Sequence, residues 1–232
     1  MNEYREIFKK KNTLLVVIHA ESKEQVVRNL DICWQKNVDG VFLINHTMSP
    51  ESLNAIFNYV YSGDWFKDKW VGLNMLGLDS NTALRTVPNT ASGLWVDNAC
   101  IGDDGVSIAG CNWKIRNEEK VDWPGLYFGG VAFKYQAPVK HLFAISKAAT
   151  TCMDVITTSG IATGVPPDIE KIKTMRSAIG DFPLAVASGI TPENVEPYRD
   201  LADCFLVATG ISHSHTELDP KRVEMMVNAM NK

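Results

Sequence analysis

Eight short apolar runs recur along this chain, each closed by a polar or glycine residue and most followed by a segment of helical periodicity. They span Thr13–His19, Gly40–Asn45, Trp70–Met75, Leu94–Asn98, Leu126–Lys134, Asp154–Gly160, Pro183–Gly189 and Cys204–Gly210. Runs that are apolar on both faces and alternate with helices belong in a parallel sheet with crossover connections. Eight of them predict a (β/α)8 TIM barrel of the α/β class, whose chemistry sits where the strands end. The 232 residues suit one such barrel, so residues 1–232 read as a single domain.

The punctuation between runs agrees. Ser22 with Gln25 has the form of a capping box, and Ser49-Pro50-Glu51 is a cap followed by a first-turn proline and an acid. Asp79 opens a helix that stops near Pro88. Further starts are expected near Ala137-Pro138, Pro166-Pro167-Asp168, Thr191-Pro192-Glu193 and Asp219-Pro220. The stretch from Ala99 to Pro124 breaks the rhythm with a weak helical pattern. It reads either as a functional loop after strand 4 or as a surface excursion over the barrel's flank.

Composition narrows the partners. A net charge of −4 without any Lys/Arg block argues against nucleic acid. No apolar stretch has membrane-spanning length, and the charged start MNEYREIFKKKN does not resemble a signal peptide. Cys33, Cys100, Cys111, Cys152 and Cys204 are scattered without a C-x-x-C pair, which suggests reduced thiols in the cytoplasm. No cofactor is expected. A homo-oligomer is expected only by analogy with other barrels.

Alternation along the strands places His19, Asn45, Asn74, Asp97, Lys134 and Ser159 at the mouth. His19 suits acid/base catalysis or a hydrogen bond that holds a loop. Asp97 suits a general base or a substrate-orienting carboxylate. Lys134 can neutralise an anion, form a Schiff base or pair with Asp97. Asn45, Asn74 and Ser159 are candidate substrate contacts. The turns at Ser188-Gly189 and Thr209-Gly210 let backbone N–H groups approach an anion at the usual phosphate position of such barrels. Thr163-Gly164 could close the other side. His213 and His215 invite a metal, but they read better as solvent-facing or substrate-rim histidines, and no metal site is expected.

From Asp154 onward the motifs DVITTSGIATGVPPDIEKIKTMR, VASGITPENVEPY and DPKRVEMMV resemble the BtpA family, and NACIGDDG and FKYQAP extend the likeness backwards. The resemblance implies a phosphate-binding barrel and a family described as photosystem I assembly factors or uncharacterised enzymes. It also implies an aspartate and a histidine in strand 5 where this chain has Gly130 and Tyr135, and an asparagine where it has Asp97. The family's Leu-Pro-Gly loop after the first histidine is replaced by Ala20-Glu21-Ser22. The leading expectation is an enzyme of isomerase or lyase type acting on a small phosphorylated metabolite. The alternatives are a non-catalytic binding or assembly barrel, favoured if Ile101, Val106, Ile108, Trp113 and Ile115 form an apolar patch, and a class I aldolase using Lys134.

Overall fold

A computed structural model describes residues 3–66, 68–106 and 123–231. After helix α1 (Glu3–Ile7) the strands are β1 (Thr13–Ala20), β2 (Gly40–Asn45), β3 (Trp70–Asn74) and β4 (Gly93–Val96). A hairpin, β5 (Ile101–Gly102) and β6 (Gly105–Val106), precedes β7 (Leu126–Gly130), β8 (Val155–Ser159), β9 (Leu184–Ala187) and β10 (Cys204–Val207). Eight of these strands close a parallel barrel in the order β1-β10-β9-β8-β7-β4-β3-β2. Pairing of Thr13 with Cys204 and of Val16 with Val207 joins the last strand to the first.

Two apolar layers hold the barrel. The inner one is built from alternate strand residues, including Leu15, Val17, Phe42, Ile44, Trp70, Trp95, Phe128 and Leu206. Phe42 meets the rings of Trp70 and Phe128 edge-on at 5.1 and 5.2 Å, so aromatic side chains plug the interior. The outer layer packs the opposite strand residues against α2 (Lys23–Gln35), α3 (Pro50–Ser62), α4 (Ser80–Thr86), α5 (Leu142–Ala149), α6 (Ile169–Ile179) and α7 (Pro220–Met230).

The expected caps at Ser22, Ser49, Asp79, Asp168 and Asp219 all accept hydrogen bonds from the first turns of their helices. Two helix starts differ. The segment after Ala137-Pro138 stays irregular until Leu142, because Asp103 in the β5–β6 hairpin takes the N–H groups of Lys140 and His141. After Thr191-Pro192-Glu193 only a 3-10 turn forms, at Glu196–Tyr198. Pro197 there lacks a donor and disfavours helical backbone at the residue before it. Of the expected apolar patch, Ile101 is buried and Val106 exposed. Ile108, Trp113 and Ile115, like Cys111, lie outside the described residues. Among the described residues no helix is long and apolar enough to cross a membrane.

Candidate functional site at the barrel mouth

The inner layer sets which strand-end residues face the mouth. With Leu15 and Val17 pointing inward, so does His19; with Phe42 and Ile44 inward, the next inward residue is His46. Asn45 therefore faces the outer layer, a correction to the expected alternation. Its amide donates to the Met48 carbonyl at 3.0 Å and accepts from the Leu76 N–H at 2.8 Å, tying two loops together. Every residue of β2 is buried, so its apolar pattern carries no information about which face is which.

A cavity of about 200 Å³ opens at the C-terminal ends of the strands. His19, His46, Trp95, Lys134, Thr163 and His215 line it, together with the Ser188-Gly189 and Thr209-Gly210 turns. It falls below the range of about 300–1,000 Å³ typical of drug-sized ligands, so it suits a compact molecule. The indole N–H of Trp95 is buried at its floor with no hydrogen-bond partner among the described residues.

Lys134 reaches this cavity by a route the alternation did not foresee. Strand β7 ends at Gly130, and Ala132 and Tyr135 take left-handed backbone with φ of 48° and 64°. Lys134 thus rides on a bent loop, where its Nζ sits 3.3 Å from the Thr163 hydroxyl. Ser159 is spent on that loop. Its hydroxyl accepts from the Lys134 N–H at 2.8 Å and donates to the Gly160 carbonyl at 2.9 Å, leaving it fully buried. Lys171, which sequence reasoning missed, adds a second brace by donating to the carbonyls of Ala132 and Ser159. Burial lowers its pKa to about 8.

Asn74 and Asp97 line an adjoining hollow beside the loop that follows β3, rather than the cavity lined by His19 and Lys134. The Asn74 amide donates to Asp97 Oδ1 at 3.0 Å. Burial pushes the Asp97 carboxyl above the usual carboxylate range, against the opposing pull of that hydrogen bond and of the Lys134 charge.

Ser188 and Gly189 both lie in the left-handed region, with φ of 67° and 66°. A non-glycine residue held there is strained, a feature that clusters at ligand sites. Glycine at 189 and 210 also has a packing cause. A Cβ on Gly189 would fall 2.2 Å from the Pro166 nitrogen, and one on Gly210 would fall 2.1 Å from the Ile190 carbonyl.

The pair His213 and His215 is split. His213 turns outward, 3.6 Å from the Asp219 carboxylate. His215 turns inward, its Nδ1 lying 3.1 Å from Nδ1 of His19. His46 completes a group of three imidazoles, with ring centroids 4.6 Å from His19 and 5.0 Å from His215. Burial first, then the neighbouring rings, hold His19 at a pKa of about 4, and burial lowers that of His46 as well. His19 therefore stands as a neutral imidazole near pH 7.

Residues 70–232 match the model of the BtpA family. The chain belongs to the BtpA family. The photosystem I biogenesis protein BtpA of Synechocystis is 23% identical over 171 residues, 69% of this chain and 60% of that protein. An uncharacterized protein of Methanocaldococcus jannaschii is 34% identical over 82 residues, 34% of this chain and 31% of that protein. The chain thus matches between about a third and three fifths of the length of these relatives. Solved structures with the same fold include (S)-3-O-geranylgeranylglyceryl phosphate synthase of Thermoplasma acidophilum with sn-glycerol-1-phosphate. Its TM-score is 0.68 at 10% identity, covering 98% of this chain and 96% of that one. Phosphoribosyl anthranilate isomerase of Thermus thermophilus has a TM-score of 0.61 at 13% identity, covering 94% and 98%.

Proposed function

We propose that this BtpA-family barrel is an enzyme of isomerase or lyase type acting on a small phosphorylated metabolite at its C-terminal mouth. The observation that carries the reading is the pairing of two features across one compact cavity. The strained Ser188-Gly189 turn and the Thr209-Gly210 turn form one wall. The Lys134 ammonium lines the same cavity. Backbone donors and a cation are the groups that hold phosphate. Fold relatives whose names include phosphorylated compounds agree with that class of ligand.

In this reading the Ser188, Gly189, Thr209 and Gly210 backbone receives the phosphate and Lys134 balances its charge. Asn74, in the adjoining hollow, orients polar groups of the substrate. Asp97, whose carboxyl burial raises above the usual carboxylate range, exchanges the proton from the adjoining hollow. His19 contributes a neutral ring lone pair rather than a charge.

A thermal-shift panel of sugar phosphates and nucleotide-like phosphates tests the proposal, since a ligand that binds only the folded state raises Tm. The expected result is a concentration-dependent rise that is lost in Lys134→Ala and matched by no dephosphorylated counterpart. A panel with no phosphate-dependent rise overturns it.

A further inference from the structure

We propose that His19, His46 and His215 bind a transition-metal dication of the zinc class at the barrel mouth. One nitrogen from each ring can be chosen so that all three lie within 4.8 Å of one another. Tetrahedral Zn²⁺ with Zn–N bonds of about 2.0–2.1 Å separates its nitrogens by about 3.3 Å. The His19–His215 pair already meets that spacing, at 3.1 Å. The third ring needs only a side-chain adjustment. The three residues come from different elements, the end of β1, the residue after β2 and the loop between β10 and α7, so helical or strand periodicity alone does not bring them together.

The loop that delivers His215 is anchored by a buried polar network. The Gln25 side-chain amide on α2 donates to the carbonyls of His19 and Thr216. Asn29 on the same helix donates to the Thr216 carbonyl at 2.9 Å and accepts from the Leu218 N–H at 2.8 Å. Both amides are buried, at 2% and 0% exposure. Supporting contacts of this kind fix a ligating side chain against a partner. Here they hold the loop immediately after His215 against α2, and Gln25 ties the same helix to the His19 backbone.

The donor set selects the ion. Three imidazoles without a carboxylate suit Zn²⁺, Co²⁺ or Ni²⁺ and disfavour the oxygen-seeking Mg²⁺ and Ca²⁺. Three protein ligands leave such an ion an open position, and the rings border the cavity that also holds Lys134. An ion there can act as a Lewis acid on an oxygen of whatever occupies that cavity. The inference rests on ring geometry and stands apart from the phosphate reading.

The test is titration of chelator-stripped, full-length protein with Zn²⁺ by calorimetry and with Co²⁺ by visible absorption. The expected outcome is one saturable site per chain, with the visible bands of tetrahedral Co²⁺. Affinity should fall at least about tenfold in His46→Ala and His215→Ala. His213→Ala, which removes the outward-facing neighbour, should bind as the wild type does, and circular dichroism should show all variants folded. Absence of saturable binding, or binding that His215→Ala leaves intact, overturns the proposal. A phosphate panel on the stripped protein keeps the two readings separable, because phosphate binding without metal binding sinks only this one.

Discussion

A Cβ added to Gly130 would lie 1.9 Å from the main-chain carbonyl oxygen of Asp97. The last residue of β7 is thus pressed against the strand end that carries the mouth's carboxylate. Any side chain beyond a hydrogen has no room at position 130 in this backbone. The clash is with backbone, which cannot swing aside like the tip of a side chain. Gly130→Ala should therefore cost at least the 1–3 kcal/mol typical of overpacking. Urea denaturation measures it, and an unchanged midpoint would show that the strands separate freely.

Asp97 gives a prediction about pH. Its folded-state pKa is raised, so between the unfolded value near 3.8 and the folded value the native protein holds the proton that the unfolded chain releases. Stability from this group is then greatest in acid and declines as pH rises through that window. Asp97→Asn removes the cost of the buried charge while keeping an acceptor for Asn74. The variant should melt at or above the wild-type temperature at pH 7, with the difference shrinking below pH 4, and it should lose turnover. A variant that melts lower at pH 7 than at pH 4, relative to wild type, contradicts the assignment.

Lys171 has the opposite sign. Its pKa falls from 10.5 to about 8 through burial, so between those values the unfolded chain binds a proton that the native protein does not. Its contribution to stability accordingly rises with pH from 8 to 10.5. Lys171→Met removes that rise and leaves the Ala132 and Ser159 carbonyls without their donor. The stability gap between wild type and variant should widen in favour of wild type across this window. Parallel pH-dependent melts of the two proteins check it, and parallel curves would refute it.

The barrel was legible because eight doubly buried apolar runs admit few arrangements, and helix caps act through bonds local in sequence. The mouth was legible only in part. Burial on both faces erased the parity of β2, so Asn45 was placed inward and His46 overlooked, although counting two residues past Phe42 and Ile44 reaches His46. The run Leu126–Lys134 stays mostly apolar while the backbone turns at Ala132, because left-handed backbone at an alanine leaves no mark in composition. Lys171 lies twelve residues beyond the end of β8 in sequence, and only tertiary packing brings its ammonium to the Ala132 carbonyl. The proline that limits the segment after β9 was visible at position 197, but the helix-start signal before it is equally real: Thr191 does accept the Glu193 N–H.

The closing of β10 onto β1 has a consequence for how the mouth comes into being. His19 lies in the first strand of the barrel, and His215 follows its last. Gln25 and Asn29 wait on α2 for a loop nearly two hundred residues downstream. No fragment that lacks the final strand can have an intact mouth, however well its first seven strands pair. A ligand at the three histidines would then act as a sensor of ring closure, binding only molecules in which the last strand has joined the first.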